Sequence, residues 1–154
     1  MLKEICRYAT SECQFMAGEE IFRRGARSED VLVLSGGKVS YSAGEQEGKQ
    51  QALDVNVGQW LCEHCLWIPW HHHGRLESKE LSLCVLINSK NFCSVIEQWP
   101  REVRCCQYYA QLWLANIRKV FELGEDGAVH DLFFSKSLLQ HLARAAVSYM
   151  DSLG

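Results

Sequence analysis

The chain has no surplus of basic residues: 16 Lys and Arg stand against 19 Asp and Glu, a net charge of -3. The Lys and Arg residues are scattered, so the basic patch that nucleic-acid binders present is missing. No basic helix-turn-helix follows the strand region, so a DNA-reading role is not expected. No apolar run approaches the ~18 residues a membrane span needs. The opening MLKEICRYAT lacks the apolar core of an export leader, so a soluble, intracellular protein is expected. There is no internal repeat and no low-complexity tract. The eight cysteines, irregularly spaced, then read as packed or free thiols in a reducing compartment and not as a disulfide framework. Cys13, Cys84 and Cys93 lie in apolar patterns that suit this reading.

What is present fits one globular domain: 154 residues, 47% hydrophobic and 23% charged. Leu2 to Ala9 is expected to form a short helix. From Cys13 to Ile87 short strands are broken by glycine-bearing turns, with Gly18 marking a tight bend or a bulge between two short strands. Val31 to Leu34 is an apolar run stopped by Gly36-Gly37, and Ser42 to Gln51 reads as an exposed hairpin loop. Leu53, Val55 and Val57 alternate with polar residues, and Leu81, Leu83, Val85 and Ile87 repeat the alternation of a half-buried strand. The period then becomes helical. Phe92, Val95, Ile96 and Trp99 share one face, with Ser89 as the expected cap and Pro100 as the stop. A helix over about Arg101 to Leu123 carries a stripe of Cys106, Tyr109, Ala110, Trp113, Ile117, Val120 and Phe121, followed by an acidic break between Gly124 and Gly127. A last helix runs from about Ser135 to Ser152. Strands followed by helices make an α+β chain: an N-terminal helical segment over 1–12, strands over 13–88, and C-terminal helices over 89–154.

Within this order the stretch AGEEIFRRGARSEDVLVLSGGKVSY (Ala17 to Tyr41) resembles the opening of a cyclic-nucleotide-binding domain. Gly18-Glu19, Ile21-Phe22, Gly25, the strand Val31 to Leu34 and Ser35-Gly36 stand at that family's places. VGQWLCE (Val57 to Glu63) is similar to the family's Gly-x-x-Phe-Gly-Glu. The resemblance implies an antiparallel β-roll, a jelly-roll-like double-stranded β-helix, with a short N-terminal helix and C-terminal helices. It also implies a non-catalytic regulatory or sensor module, with cAMP or cGMP as the ligands to consider.

The pocket implied by the resemblance would involve Glu63, His72, Arg75, Gly36 and Cys62. The family's cassette holds the ribose hydroxyl with a glutamate, here Glu63, and the cyclic phosphate with an arginine. A gapless count puts His71 and His72 where Pro and Arg belong, Arg75 three places late, and Cys62 in place of a glycine. A histidine offers one donor and a part-time charge where arginine offers a permanent two-pronged fork. Losing such a partner costs on the order of 2–5 kcal/mol, so nucleotide binding is expected to be weak or lost. Trp67 and Trp70 bring two bulky rings into the same cassette.

Cys62, Cys65, His71 and His73 have the residue types of a zinc site but not a standard spacing, and no stoichiometric metal is expected. A Cys–His nucleophile there lacks any sign of an orienting group or oxyanion site. The carboxylate pairs Glu19-Glu20 and Glu125-Asp126 read as turn charges, and the five tryptophans as core residues. On the long helix a second apolar stripe, Tyr108, Leu112 and Ala115, asks for cover. Tyr108, Leu112 and Trp113, with Leu138 and Leu142 of the last helix, are expected to meet another protein subunit. The alternative to a sensor is a ligand-free structural or docking subunit of a larger assembly.

Overall fold

The structure is a computed structural model that describes residues 1–43, 52–122, 131–132 and 136–152, with the backbone alone for 120–122 and 136. A short helix α1 (Leu2–Glu4) runs into a π turn (Ile5–Ala9). Ten strands follow: β1 (Thr10–Phe15), β2 (Glu20–Phe22), β3 (Arg27–Ser28), β4 (Asp30–Gly36), β5 (Val39–Ala43), β6 (Ala52–Val55), β7 (Trp60–Leu61), β8 (Trp70–His71), β9 (Gly74–Ser78) and β10 (Ser82–Asn88). A 3₁₀ turn (Glu63–Leu66) separates β7 from β8. Three helices close the chain, α2 (Ser89–Ile96), α3 (Pro100–Glu122) and α4 (Lys136–Ser152). No helix among the described residues is long and apolar enough to cross a membrane.

Every strand pair is antiparallel. One sheet has the order β1-β10-β4-β7, the second β2-β9-β5-β6, and β3 pairs with β8 at one end. Leu32, Leu34, Leu61 and Cys84 of the first sheet meet Val39, Tyr41, Val55 and Leu76 of the second in one buried cluster. That is the expected β-roll. It starts at Thr10, three residues before the expected boundary at residue 13, because Thr10 already pairs with Ile87.

Several local expectations are corrected. In β10 the buried positions are Ser82 and Cys84, while Leu81 and Leu83 are exposed. The register shift between Leu83 and Cys84 leaves Ser35 of β4 as the extra residue, and the β10 alternation runs through it unbroken. Val57 lies beyond the end of β6 and is exposed. Asn88, not Ser89, caps α2: its side chain accepts the Asn91 amide hydrogen at 3.1 Å. Pro100 opens α3 rather than merely ending α2, a place where its missing N–H costs nothing. Cys93 is exposed. Trp60 is 47% exposed, unlike Trp113 and Trp70, which are buried. Of the hairpin loop, residues 44–51 lie outside the described residues, as does the acidic break between Gly124 and Gly127.

The glycine turns do what their positions require. Gly37 has φ +83° and its missing side chain leaves room for the Leu81 carbonyl and the Ser82 backbone, so the β4–β5 turn admits no Cβ. Gly18 holds φ +81° at the bend before β2.

The helices pack against one another. Trp113 and Ile117 of α3 and Leu142 of α4 are buried together, with Leu112, Leu114, Tyr109, Leu138 and Leu139 half-buried around them. Tyr108 stacks on Tyr149 of α4 with ring centres 4.0 Å apart, while Ala115 of the same stripe is exposed. Trp113 and Leu142 are buried within this packing.

Candidate functional site

β8, β9 and the turn before them deliver a ring of donors to one place inside the roll. Tyr41 comes from β5 on the opposite sheet, Trp70 from β8, and His72 and His73 from the link into β9, which Gly74 opens. All of these point at one residue that sequence reasoning did not single out: Asp131, which follows α3 and is 1% exposed. Its Oδ1 accepts from the Trp70 indole N–H at 2.8 Å and from His72 Nδ1 at 3.1 Å. Its Oδ2 accepts from the Tyr41 hydroxyl at 2.8 Å, the His73 amide at 3.0 Å and the Gly74 amide at 3.1 Å. The Cys62 amide donates to the Asp131 backbone carbonyl at 2.9 Å. The next residue, Leu132, packs against the roll's core cluster and anchors the segment.

The cage is held rigidly. The His72 ring lies flat on Phe22, centres 3.8 Å apart, and Trp70 is stacked between His64 and His73. Gly74 has no alternative: a Cβ there would come within 2.5 Å of the Tyr41 ring and the Ser42 carbonyl. Cys62 adopts φ +63°, the left-handed region that disfavours side chains, and its amide is tied to Asp131 in that state.

Burial alone would raise the Asp131 carboxyl. The hydrogen bonds from His72, Trp70 and Tyr41 outweigh it and bring the group down to about 2. A carboxylate depressed from 3.8 to about 2 stabilises the folded chain above the unfolded value and loses that contribution as pH falls through the folded one. The native chain should lose about 2 kcal/mol between roughly pH 4 and pH 2 that Asp131→Asn does not lose, measured by urea midpoints across that range.

The residues expected in the pocket have separate fates. Cys62 and His72 are in it, with Cys62 Sγ 3.5 Å from His72 Nδ1 and 3.7 Å from Asp131 Oδ1. Glu63 is turned toward α3, where its Oε1 accepts from the Tyr109 hydroxyl at 2.7 Å and from the Trp67 indole at 3.3 Å. Arg75 is exposed and ion-paired with Glu20 and Glu77, both at 2.9 Å. Gly36 ends β4 against Leu83. Of the four residues weighed for zinc, His71 is exposed, His73 stacks on Trp70, and Cys65 sits in the 3₁₀ turn. Its thiol is pushed up to about 12 by burial, and the Cys62 thiol is likewise raised, the reverse of what a nucleophile needs. Asp131 left one faint trace in the sequence, a single charge amid the apolar letters of Leu132-Phe133-Phe134.

No protein-family model matches the chain, and no curated protein matches it in sequence. Solved structures do match in shape. A cyclic-nucleotide-binding-like protein from Brucella abortus is 19% identical, with a TM-score of 0.53 over 57% of this chain and 76% of its own. The sensor domain of the transcriptional regulator DNR from Pseudomonas aeruginosa is 16% identical, with a TM-score of 0.59 over 80% of each chain. The regulatory subunit of a cAMP-independent protein kinase A from Trypanosoma brucei is 18% identical, with a TM-score of 0.50 over 58% of this chain and 33% of its own. The chain has the cyclic-nucleotide-binding-domain fold.

Proposed function

We propose that this chain is a non-catalytic regulatory module of the cyclic-nucleotide-binding type whose pocket is filled by its own Asp131, and that it works without cAMP or cGMP. The carrying observation is the Asp131 carboxylate accepting five hydrogen bonds inside the roll. A carboxylate so bound does for these donors what a ligand's phosphate would do. An incoming cyclic phosphate would have to expel it, or lie as a second anion beside it. The other anchor of the family is also spent: Glu63 is engaged by Tyr109 and Trp67 and does not await a ribose hydroxyl. The raised thiols support the non-catalytic part of the reading. The Trypanosoma brucei neighbour, described as part of a cAMP-independent kinase, is in keeping with it.

Calorimetric titration of the unmodified chain with cAMP and with cGMP tests this. No saturable heat should appear up to millimolar ligand, and low-micromolar binding by either nucleotide would overturn the reading.

A further inference from the structure

We propose that Cys62, His72 and Asp131 form a binding site for one thiophilic divalent metal ion of the zinc class, which staples the Asp131 segment into the roll. The inference shares with the reading above only the position of Asp131. Among the described residues these three are the one group of Cys, His and acidic side chains whose ligand atoms all lie within 4.8 Å of one another. Their separations are 3.1, 3.5 and 3.7 Å. Four ligands at zinc's usual bond lengths of about 2.0–2.3 Å stand about 3.3–3.7 Å apart at the corners of a tetrahedron. The three atoms therefore already sit near three such corners, and a water takes the fourth.

Supporting interactions are in place on every ligand. Asp131 offers Oδ1 to the metal while its second lone pair keeps the Trp70 hydrogen bond, and Oδ2 is held by Tyr41, His73 and Gly74. His72 is fixed by its stack on Phe22. The left-handed backbone at Cys62 sets its Sγ beside both partners.

The charges also balance. On binding, the Cys62 thiol releases its proton to solvent and the neutral His72 ring turns its Nδ1 lone pair to the metal, its one proton resting on Nε2. Thiolate, carboxylate and neutral imidazole then surround a doubly charged ion, giving a neutral centre where an unbalanced charge would be costly. A cleft of about 480 Å³, lined by Phe22, Arg27, Ser28, Cys62 and His72 among others, provides the way in.

The probe is cobalt(II), added under reducing, anaerobic conditions to the full chain after treatment with a chelator. About one equivalent should bind, with a thiolate-to-cobalt charge-transfer band, d–d bands of tetrahedral intensity, and paramagnetically shifted His72 ring signals in the unmodified protein. Zinc should displace it. Cys62→Ser should remove the charge-transfer band and weaken cobalt binding roughly tenfold or more, whereas Cys65→Ser should leave both unchanged. Absence of a band at one equivalent, a band that survives Cys62→Ser, or His72 signals unmoved by bound cobalt would each end the proposal. A chain that refuses both cobalt and cyclic nucleotide loses the metal site and keeps the closed pocket. A chain that takes up cAMP loses the closed pocket whatever cobalt does.

Discussion

Asp131→Ala should lower the unfolding free energy of the chelator-treated chain by about 3–5 kcal/mol, the usual range for removing one partner of a buried charged network. The carboxylate is not one contact among many. Its removal takes an acceptor away from the Tyr41 hydroxyl, the Trp70 indole N–H, His72 Nδ1 and the His73 and Gly74 amides at once. Each buried donor left without an acceptor costs about 1–3 kcal/mol, and water entering the seat offsets part of the sum. Asp131→Asn, which keeps one acceptor, should fall between native and alanine. Asp54→Ala is the control: that carboxylate is exposed and paired with Lys38 at the surface, so the urea midpoint should hardly move. An alanine variant at position 131 within about 1 kcal/mol of native would mean that the carboxylate is not caged as described.

Trp113→Ala should cost a comparable amount, about 3–5 kcal/mol, through a different physical route. Trp113 is fully buried at the centre of the α3–α4 packing, with Ile117 and Leu142 against it and the His64 ring edge-on at 5.0 Å. His64 in turn stacks on Trp70, which holds Asp131. The helix pair and the pocket thus share a continuous line of rings, and the cavity left by an alanine opens at their junction. Denaturant unfolding followed by far-ultraviolet circular dichroism measures the loss. Trp60→Ala gives the contrast, since that ring is 47% exposed and its removal should stay within about 0.5 kcal/mol.

The roll was legible because its signals are local. Glycines at sharp corners, the run Val31 to Leu34 and the alternation at Leu53 and Val55 each reflect the backbone requirement of one strand or turn. The errors arose where tertiary pairing decides. Ser82 and Cys84 turn inward and Leu83 outward, and nothing in SLCVLIN announces which face of β10 the second sheet covers. Trp60 and Trp113 are the same letter with opposite burial, because one lies on short strand β7 and the other between two helices.

At the site, the sequence singled out Cys62, His72 and Trp70, and all three side chains lie beside Asp131. What could not be seen was their shared acceptor. Asp131 lies 59 positions from His72 and 90 from Tyr41, a separation at which no spacing rule operates. Glu63 likewise stands at the family's place, yet its side chain is claimed by Tyr109, 46 residues on.

The Trp70 indole N–H reports the central claim most directly, because it donates to Asp131 at 2.8 Å inside the roll. In a ¹⁵N-labelled chain its resonance, assigned by Trp70→Phe, should exchange slowly with solvent and stay in place as cAMP or cGMP is added to millimolar concentration. The same resonance should shift and lose protection in Asp131→Ala. An indole signal that moves on addition of cyclic nucleotide to the native chain, or that is indifferent to Asp131→Ala, would contradict a pocket closed by its own carboxylate.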